Sequence, residues 1–372
     1  MNPVKVAVVG VGHLGRIHTR IVRGLGQFSL VGVVDPLPEN LARAHTEFGA
    51  HGFQNARELI GQIDAAVIAT PTRFHHAVAM ELLAAGVHLL VEKPLASTAA
   101  QANDLVAAAR AAGAVLQVGH VERFNPAMVA ARPHLGPPKY IEAVRRSGFS
   151  FRSTDIGVVL DLMVHDIDLV LSLVRSPVRE VSALGLSLFG QHEDVANARL
   201  VFENGCVAVL SASRASRAPA RTMQVWSARA LAHMDFNTRT AAIMRPSEAI
   251  ARRAIDIEKL SGAEREALKD RLLADHLPVE ELPTTPRDGI TAELEDFAES
   301  IQLGRAPQVT GEAGRDAVDL AEQILAKIGG HQWDGIAAGP TGPHGLPPTQ
   351  IIPGPHWRRA GTPAPIERRE AG

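Results

Sequence analysis

Short apolar runs without polar alternation recur through the first 120 residues, at Val4–Val9, 30–34, 65–70, 87–91 and 114–118. They are β-branched or leucine-rich, the composition of strands covered on both faces. Helix-length segments separate them: 13–25, Pro38–Phe48, 74–85 and 98–112. Strand–helix–strand repetition predicts an α/β fold with a parallel, right-handed, doubly wound sheet. Gly86 and Gly113 stand where helix C-caps are expected.

The pattern changes after residue 120. Residues 139–147 read as a strand entering a new sheet and 155–175 as a helix. Strand-like runs follow without intervening helices, at 178–188, 196–203, 206–213, 221–227 and 229–236. Glu203-Asn204-Gly205 between two of them is a hairpin signal, and the series predicts a largely antiparallel open sheet in an α+β domain. Residues 247–275 read as a helical insertion, and 288–303 and 312–328 have helical periodicity. The expected division is a nucleotide-binding domain over 1–120, a substrate-binding and oligomerisation domain over 121–330, and a tail over 331–372. The tail holds 8 Pro and 7 Gly in 42 residues. Such a composition buries too little apolar surface to offset ordering, so an extended or disordered tail is expected. Trp333, Trp357 and Ile351-Ile352 are its apolar groups for docking on a partner subunit.

The length, 372 residues, agrees with two domains. Lys plus Arg is 38 and Asp plus Glu 40, a net charge of −2, so no global field favours nucleic acid or an anionic membrane. One cysteine, Cys206, excludes a disulfide scaffold and cysteine-based metal centres. With no signal-like segment and no long apolar run, a cytoplasmic location is expected.

The first run leads directly into Gly10-Val11-Gly12-His13-Leu14-Gly15 and a helix, with Asp35 twenty residues later at the end of the second run. Gly10 permits the tight turn, Gly12 admits a pyrophosphate, and Gly15 allows close helix–strand packing. The helix N-terminus presents free N–H groups to phosphate. Asp35 is placed to accept hydrogen bonds from a ribose 2′-OH. It would repel a 2′-phosphate, which favours NAD over NADP. Thr70-Pro71-Thr72 and His75 follow the third strand, bordering a dinucleotide, and His75 is a candidate cofactor contact.

The strand at 87–91 ends in Glu92-Lys93-Pro94. Ligands of open parallel sheets bind beyond the strands' carboxyl ends, so Lys93 is expected at the crevice. A lysine there, partly desolvated, suits proton chemistry. Asp161 and His165 are four apart, on one face of the expected helix. A carboxylate beside an imidazole is the arrangement of a general base and its orienting group. His165, Asp166 and Asp168 are potential metal ligands, but they diverge on a helix and nothing completes a site, so no metal is expected. His45, His51, His134 and His192 are scattered and read as surface residues.

Together the glycine turn, Ala69-Thr70-Pro71, Glu92-Lys93-Pro94 and Asp161-x-x-x-His165 resemble the glucose–fructose oxidoreductase/inositol 2-dehydrogenase (Gfo/Idh/MocA) family over roughly residues 1–330. The resemblance implies NAD(P)-dependent oxidation or reduction of a sugar or cyclitol carbon, with Lys93, Asp161 and His165 as the catalytic set. It also implies association through the open sheet of the second domain, hence a homo-oligomer. Gly119-His120-Val121-Glu122-Arg123-Phe124-Asn125-Pro126 resembles the nucleotide-sugar branch, whose UDP-N-acetylglucosamine 3-dehydrogenases make a 3-keto sugar. That likeness makes Arg123 and Asn125 candidate substrate contacts and Arg152 a candidate for the diphosphate. His165 is then the expected base, Asp161 its orienter and Lys93 the cation at the developing alkoxide, with the His and Lys roles exchangeable. A dehydrogenase of a free sugar or cyclitol is the near alternative. A non-catalytic dinucleotide sensor is the distant one.

Overall fold

The computed structural model describes residues 2–150, 156–333 and 336–337. Arg152, Trp357 and the Ile351-Ile352 pair lie outside the described residues. The first sheet comprises β1 (Val4–Val9), β2 (Phe28–Val34), β3 (Gly52–Phe53), β4 (Ala65–Ile68), β5 (His88–Glu92) and β6 (Leu116–Gly119). Its order is β3-β2-β1-β4-β5-β6 and every pairing is parallel. The order reverses between β1 and β4, the position at which doubly wound sheets open a ligand crevice.

The unbroken apolar runs follow from burial on both faces. Val6 and Val8 of β1 enter one core with Val33, Leu294 and Phe297. Ala7 and Val9, their neighbours, enter the other with Leu82, Leu83 and Leu105. The helices between strands are α1 (His13–Gly24), α2 (Pro38–Phe48), α3 (His75–Ala84) and α4 (Ala99–Ala112). In α1 the buried residues Gly15, His18, Thr19 and Val22 form one helical stripe. The Thr98 side chain caps α4, and Gly113 ends it in the left-handed conformation.

A short helix, α5 (Pro126–Ala131), leads to the second sheet. Its strands are β7 (Pro138–Arg146), β8 (Val178–Leu186), β9 (Val195–Phe202), β10 (Val207–Ser213), β11 (Ala220–Ser227), β12 (Leu231–Asp235), β13 (Thr240–Met244) and β14 (Val279–Leu282). All neighbours are antiparallel except β7 and β10, which are parallel. One face packs on α6 (Val164–Val174), which follows a π-helical turn over Val159–Met163. The expected insertion contains α7 (Glu248–Ala251) and α8 (Gly262–Arg271), both without a buried residue.

The last two helices tie the halves together. Helix α9 (Gly289–Leu303) lies on the first sheet, through Leu294, Phe297 and Ala298. Division at residue 120 therefore does not follow the packing of this segment. Helix α10 (Gly311–Gly330) puts Val318 into the first domain's core and Leu320, Ala321 and Ile324 into the second's. Within the tail, β15 (Gln332–Trp333) and β16 (Ile336–Ala337) form a two-residue antiparallel ladder.

Candidate active site

The carboxyl ends of β1, β4 and β5 open onto a cavity of about 1160 Å³ whose opposite wall comes from the second domain. Gly10, Gly12, His13, Leu14 and Asp35 border it on one side. Gly10 has φ +85°, and a Cβ there would lie 2.8 Å from Ala69 O and Thr70 N. A Cβ on Gly15 would lie 1.7 Å from Gly10 O, so helix and turn meet backbone to backbone. A Cβ on Gly12 would meet no protein atom within 4 Å, which leaves the approach to the helix free. No side chain caps α1, and its first turn carries no acid. An uncapped helix end behind an open glycine fits a dinucleotide pyrophosphate. Asp35 is buried. Its Oδ2 accepts Val11 N–H at 3.0 Å, and its Oδ1 accepts Leu37 N–H at 3.0 Å and the Asn40 amide at 3.1 Å. The carboxylate thus sits at the crevice edge in a fixed orientation.

Thr70 and Pro71 line the cavity; Thr72, in the following turn, is not among its lining residues. His75 is placed differently from the expected cofactor contact. It is buried behind the wall, with Nδ1 2.9 Å from Pro94 O and Nε2 2.9 Å from Thr70 O. Burial lowers its pKa. Its geometry joins the Thr70 loop to the Lys93-Pro94 segment, so it positions the wall from behind.

Glu92, Lys93, Asp161 and His165 all border the cavity. Glu92 is buried, with Oε1 2.7 Å from His18 Nε2 and Oε2 accepting Lys93 N–H at 3.2 Å. Burial opposes its charge, but the contacts with His18 and Lys93 outweigh that and lower its pKa. Lys93 Nζ donates to the Asp161 carbonyl at 2.7 Å and lies 3.3 Å from Asp161 Oδ1.

The expected Asp161–His165 pair is not formed. Asp161 lies in the π turn, where the register departs from the i,i+4 stacking of an α-helix, and its carboxylate faces Lys93. His165 Nδ1 is buried without a hydrogen-bond partner among the described residues. Desolvation holds the His165 pKa well below its ordinary value, and the charges of Lys93, Arg145, His120 and Arg221 act the same way. His165 is therefore a neutral imidazole at neutral pH, able to accept a proton, and burial first, then the neighbouring positive charges, keep it so.

Arg123 and Asn125, expected at the substrate, serve the fold. Arg123 is buried in a bidentate pair with Asp168, at 2.6 and 2.8 Å. Asn125 caps α5 through Ala127 N–H at 3.0 Å and donates to Glu122 Oε2 at 2.8 Å and Phe236 O at 3.2 Å. Neither is among the residues lining the cavity. A buried guanidinium requires a carboxylate partner, and Asp168 supplies it from a distance no local pattern reveals.

Several polar groups at and behind the cavity carry no mark in the sequence. Arg145, Arg214 and Arg221 border the cavity from the second sheet. His18, Gln117, His120 and Glu293 are buried polar residues whose side chains each have an unpartnered atom among the described residues. His120 and His165 stack edge to face at 6.4 Å between ring centroids. Nothing local marks these residues, because they come from elements far apart along the chain. His45, His51, His134 and His192 are exposed, as expected. Among the described residues, no group of three or more His, Cys, Asp or Glu side chains is arranged to hold a metal, and no helix is long and apolar enough to cross a membrane.

Residues 4–120 match the family described as "Oxidoreductase family, NAD-binding Rossmann fold", and 127–232 match the "GFO/IDH/MocA C-terminal domain". The chain is 35% identical over 329 residues to UDP-N-acetylglucosamine 3-dehydrogenase of Acidithiobacillus ferrooxidans, covering 88% of this chain and 98% of that protein. A solved structure of that enzyme superimposes with a TM-score of 0.76 at 34% identity, over 88% of this chain and 98% of the other. Inositol 2-dehydrogenase of Rhizobium meliloti is 25% identical, over 87% of this chain and 97% of the relative. This chain belongs to the GFO/IDH/MocA family, NAD(P)-dependent sugar dehydrogenases that act on CH–OH groups.

Proposed function

We propose that this chain oxidises C3 of UDP-N-acetylglucosamine, or of a closely related UDP-sugar, to a ketone with NAD. The observation that carries the reading is the convergence of Lys93, Asp161 and His165 on the cavity whose other side is the glycine turn. Similarity over 88% of the chain to a UDP-N-acetylglucosamine 3-dehydrogenase supports the choice of sugar. Bound NAD supplies the hydride acceptor. Neutral His165 takes the hydroxyl proton, and Lys93, anchored on Asp161, stabilises the charge that develops on the oxygen. Asp35 at the ribose edge supports NAD over NADP. The sheet face carrying Tyr140 and Trp226, which pack at 5.1 Å on the side away from the core, is the expected surface for a second copy.

The test is NADH formation from UDP-N-acetylglucosamine, with the product carbon assigned by NMR. Turnover that is faster with NAD than with NADP, and lost in Lys93→Ala while NAD still binds, is expected. A chain that oxidises inositol or a free sugar and ignores the UDP-sugar would overturn the reading. The match to an inositol 2-dehydrogenase over 87% of the chain makes that the competing outcome.

A further inference from the structure

The second-domain wall of the cavity carries three arginines in different states. Arg145 is buried and bound by Asp166 at 2.9 and 3.0 Å and by Glu122 at 2.8 Å. Arg214 is buried against Asp194 at 2.6 Å and donates to Ile156 O at 2.9 Å. Arg221 is exposed and lines the cavity, and its side chain makes no ion pair or hydrogen bond among the described residues. On β11 it stands directly opposite Arg145 of β7, so the two share a sheet face. Like charges directly opposite each other on a sheet repel. Glu122 and Asp166 answer Arg145, and they leave the Arg221 guanidinium to the cavity.

The position is also near the chemistry, since the Arg221 charge reaches His165 and Asp166. The cavity, at about 1160 Å³, exceeds the roughly 300–1,000 Å³ of ordinary ligand sites, so a dinucleotide leaves room for a second sizeable molecule. Phe149, whose ring packs on Phe189 at 4.4 Å, lines the same wall. A guanidinium is a planar donor fork that matches phosphate oxygens bidentately.

We propose that Arg221 grips the diphosphate of a nucleoside-diphosphate sugar and thereby selects that substrate class over uncharged sugars. The inference rests on the nucleotide-sugar reading above and names the side chain that would enforce it. An uncharged polyol offers the guanidinium no anion, so a specificity filter of this kind costs such substrates affinity.

The test measures UDP and uridine binding to the NADH-loaded protein by calorimetry, alongside kcat and KM for UDP-N-acetylglucosamine, in wild type, Arg221→Lys and Arg221→Gln. A charge-assisted hydrogen bond corresponds to about tenfold to hundredfold in affinity. We expect wild type to prefer UDP over uridine by that factor. Arg221→Gln should erase the preference, leave uridine binding unchanged and raise KM more than it lowers kcat, with Arg221→Lys in between. An intact UDP preference in Arg221→Gln would overturn the inference, as would equal weakening of uridine and UDP, the sign of a merely damaged wall. Wild type that turns over no UDP-sugar removes the nucleotide-sugar reading itself. Turnover insensitive to Arg221 removes only the role given to this residue.

Discussion

His165 shows how a side chain of ordinary type acquires a specific chemical state. Its sequence context suggested a general base oriented by a neighbouring carboxylate; the fold instead gives it burial and positive neighbours. The sign of the consequence is clear. With its pKa held well below the ordinary value by desolvation, then by Lys93, Arg145, His120 and Arg221, the ring remains unprotonated until the pH falls well under about 6.5. We expect the acid limb of kcat/KM against pH to lie below 6.5, with activity flat through neutrality. His165→Asn should remove that limb and lower kcat by roughly 10²–10⁴-fold, the usual weight of a general base. A limb at 6.5 or above in wild type would show that the ring titrates as if exposed. Lys93 was legible because it directly follows an apolar strand. Arg123 misled because a buried structural arginine and a substrate-binding one look the same in sequence.

The glycine turn was legible because strand, turn and helix are contiguous and each glycine answers a local steric demand. The glycines do different jobs, and alanine separates them. Gly15→Ala would place a methyl 1.7 Å from Gly10 O, so the turn must open. We expect a loss of several °C in melting temperature together with weakened NAD binding, on a scale where about 1 kcal/mol shifts a mid-sized domain by roughly 2–4 °C. Gly12→Ala meets nothing within 4 Å. It should melt like wild type and lose NAD affinity alone, by calorimetry. Similar melting temperatures for the two variants would contradict the packing. Elements with weak periodic signals escaped the sequence. Strand β3 is two residues long, and β13 and β14 flank the helical insertion, where no alternation long enough to read was present. The helix expected over 155–175 begins as a π turn, and that one irregularity redirected Asp161 from His165 to Lys93.

Across the assembled chain, α9 returns to close the nucleotide domain and carries Glu293 into it. Both carboxyl oxygens of Glu293 are buried without partners among the described residues, while Gln117 donates to its backbone oxygen at 2.9 Å. Burial, then the charges of Glu92, Asp296, Asp288 and Asp168, raise its pKa well above the ordinary value. The folded protein therefore holds a proton that the unfolded chain releases above about pH 4.3. This stabilisation is complete below that pH and is lost as the pH rises toward the folded-state pKa. We expect Glu293→Gln to melt higher than wild type at pH 8, with the gain shrinking toward pH 4.5 in a calorimetric series. A difference independent of pH would show that Glu293 is ionised in the fold.

The chain's own pattern determined the two-part architecture, the dinucleotide turn and the lysine at a strand end, because periodicity and glycine sterics act over a few neighbouring residues. It also supplied the motif combination that marks the family. Contacts between distant segments decided which polar groups face the cavity and which support it. Arg123 meets Asp168, Arg145 meets Asp166 and Glu122, and Lys93 meets Asp161, each across 21 to 68 positions of chain. A charge buried in the interior must find its counter-charge wherever the fold brings one. Arg221 borders the cavity directly opposite Arg145, which Asp166 and Glu122 already satisfy.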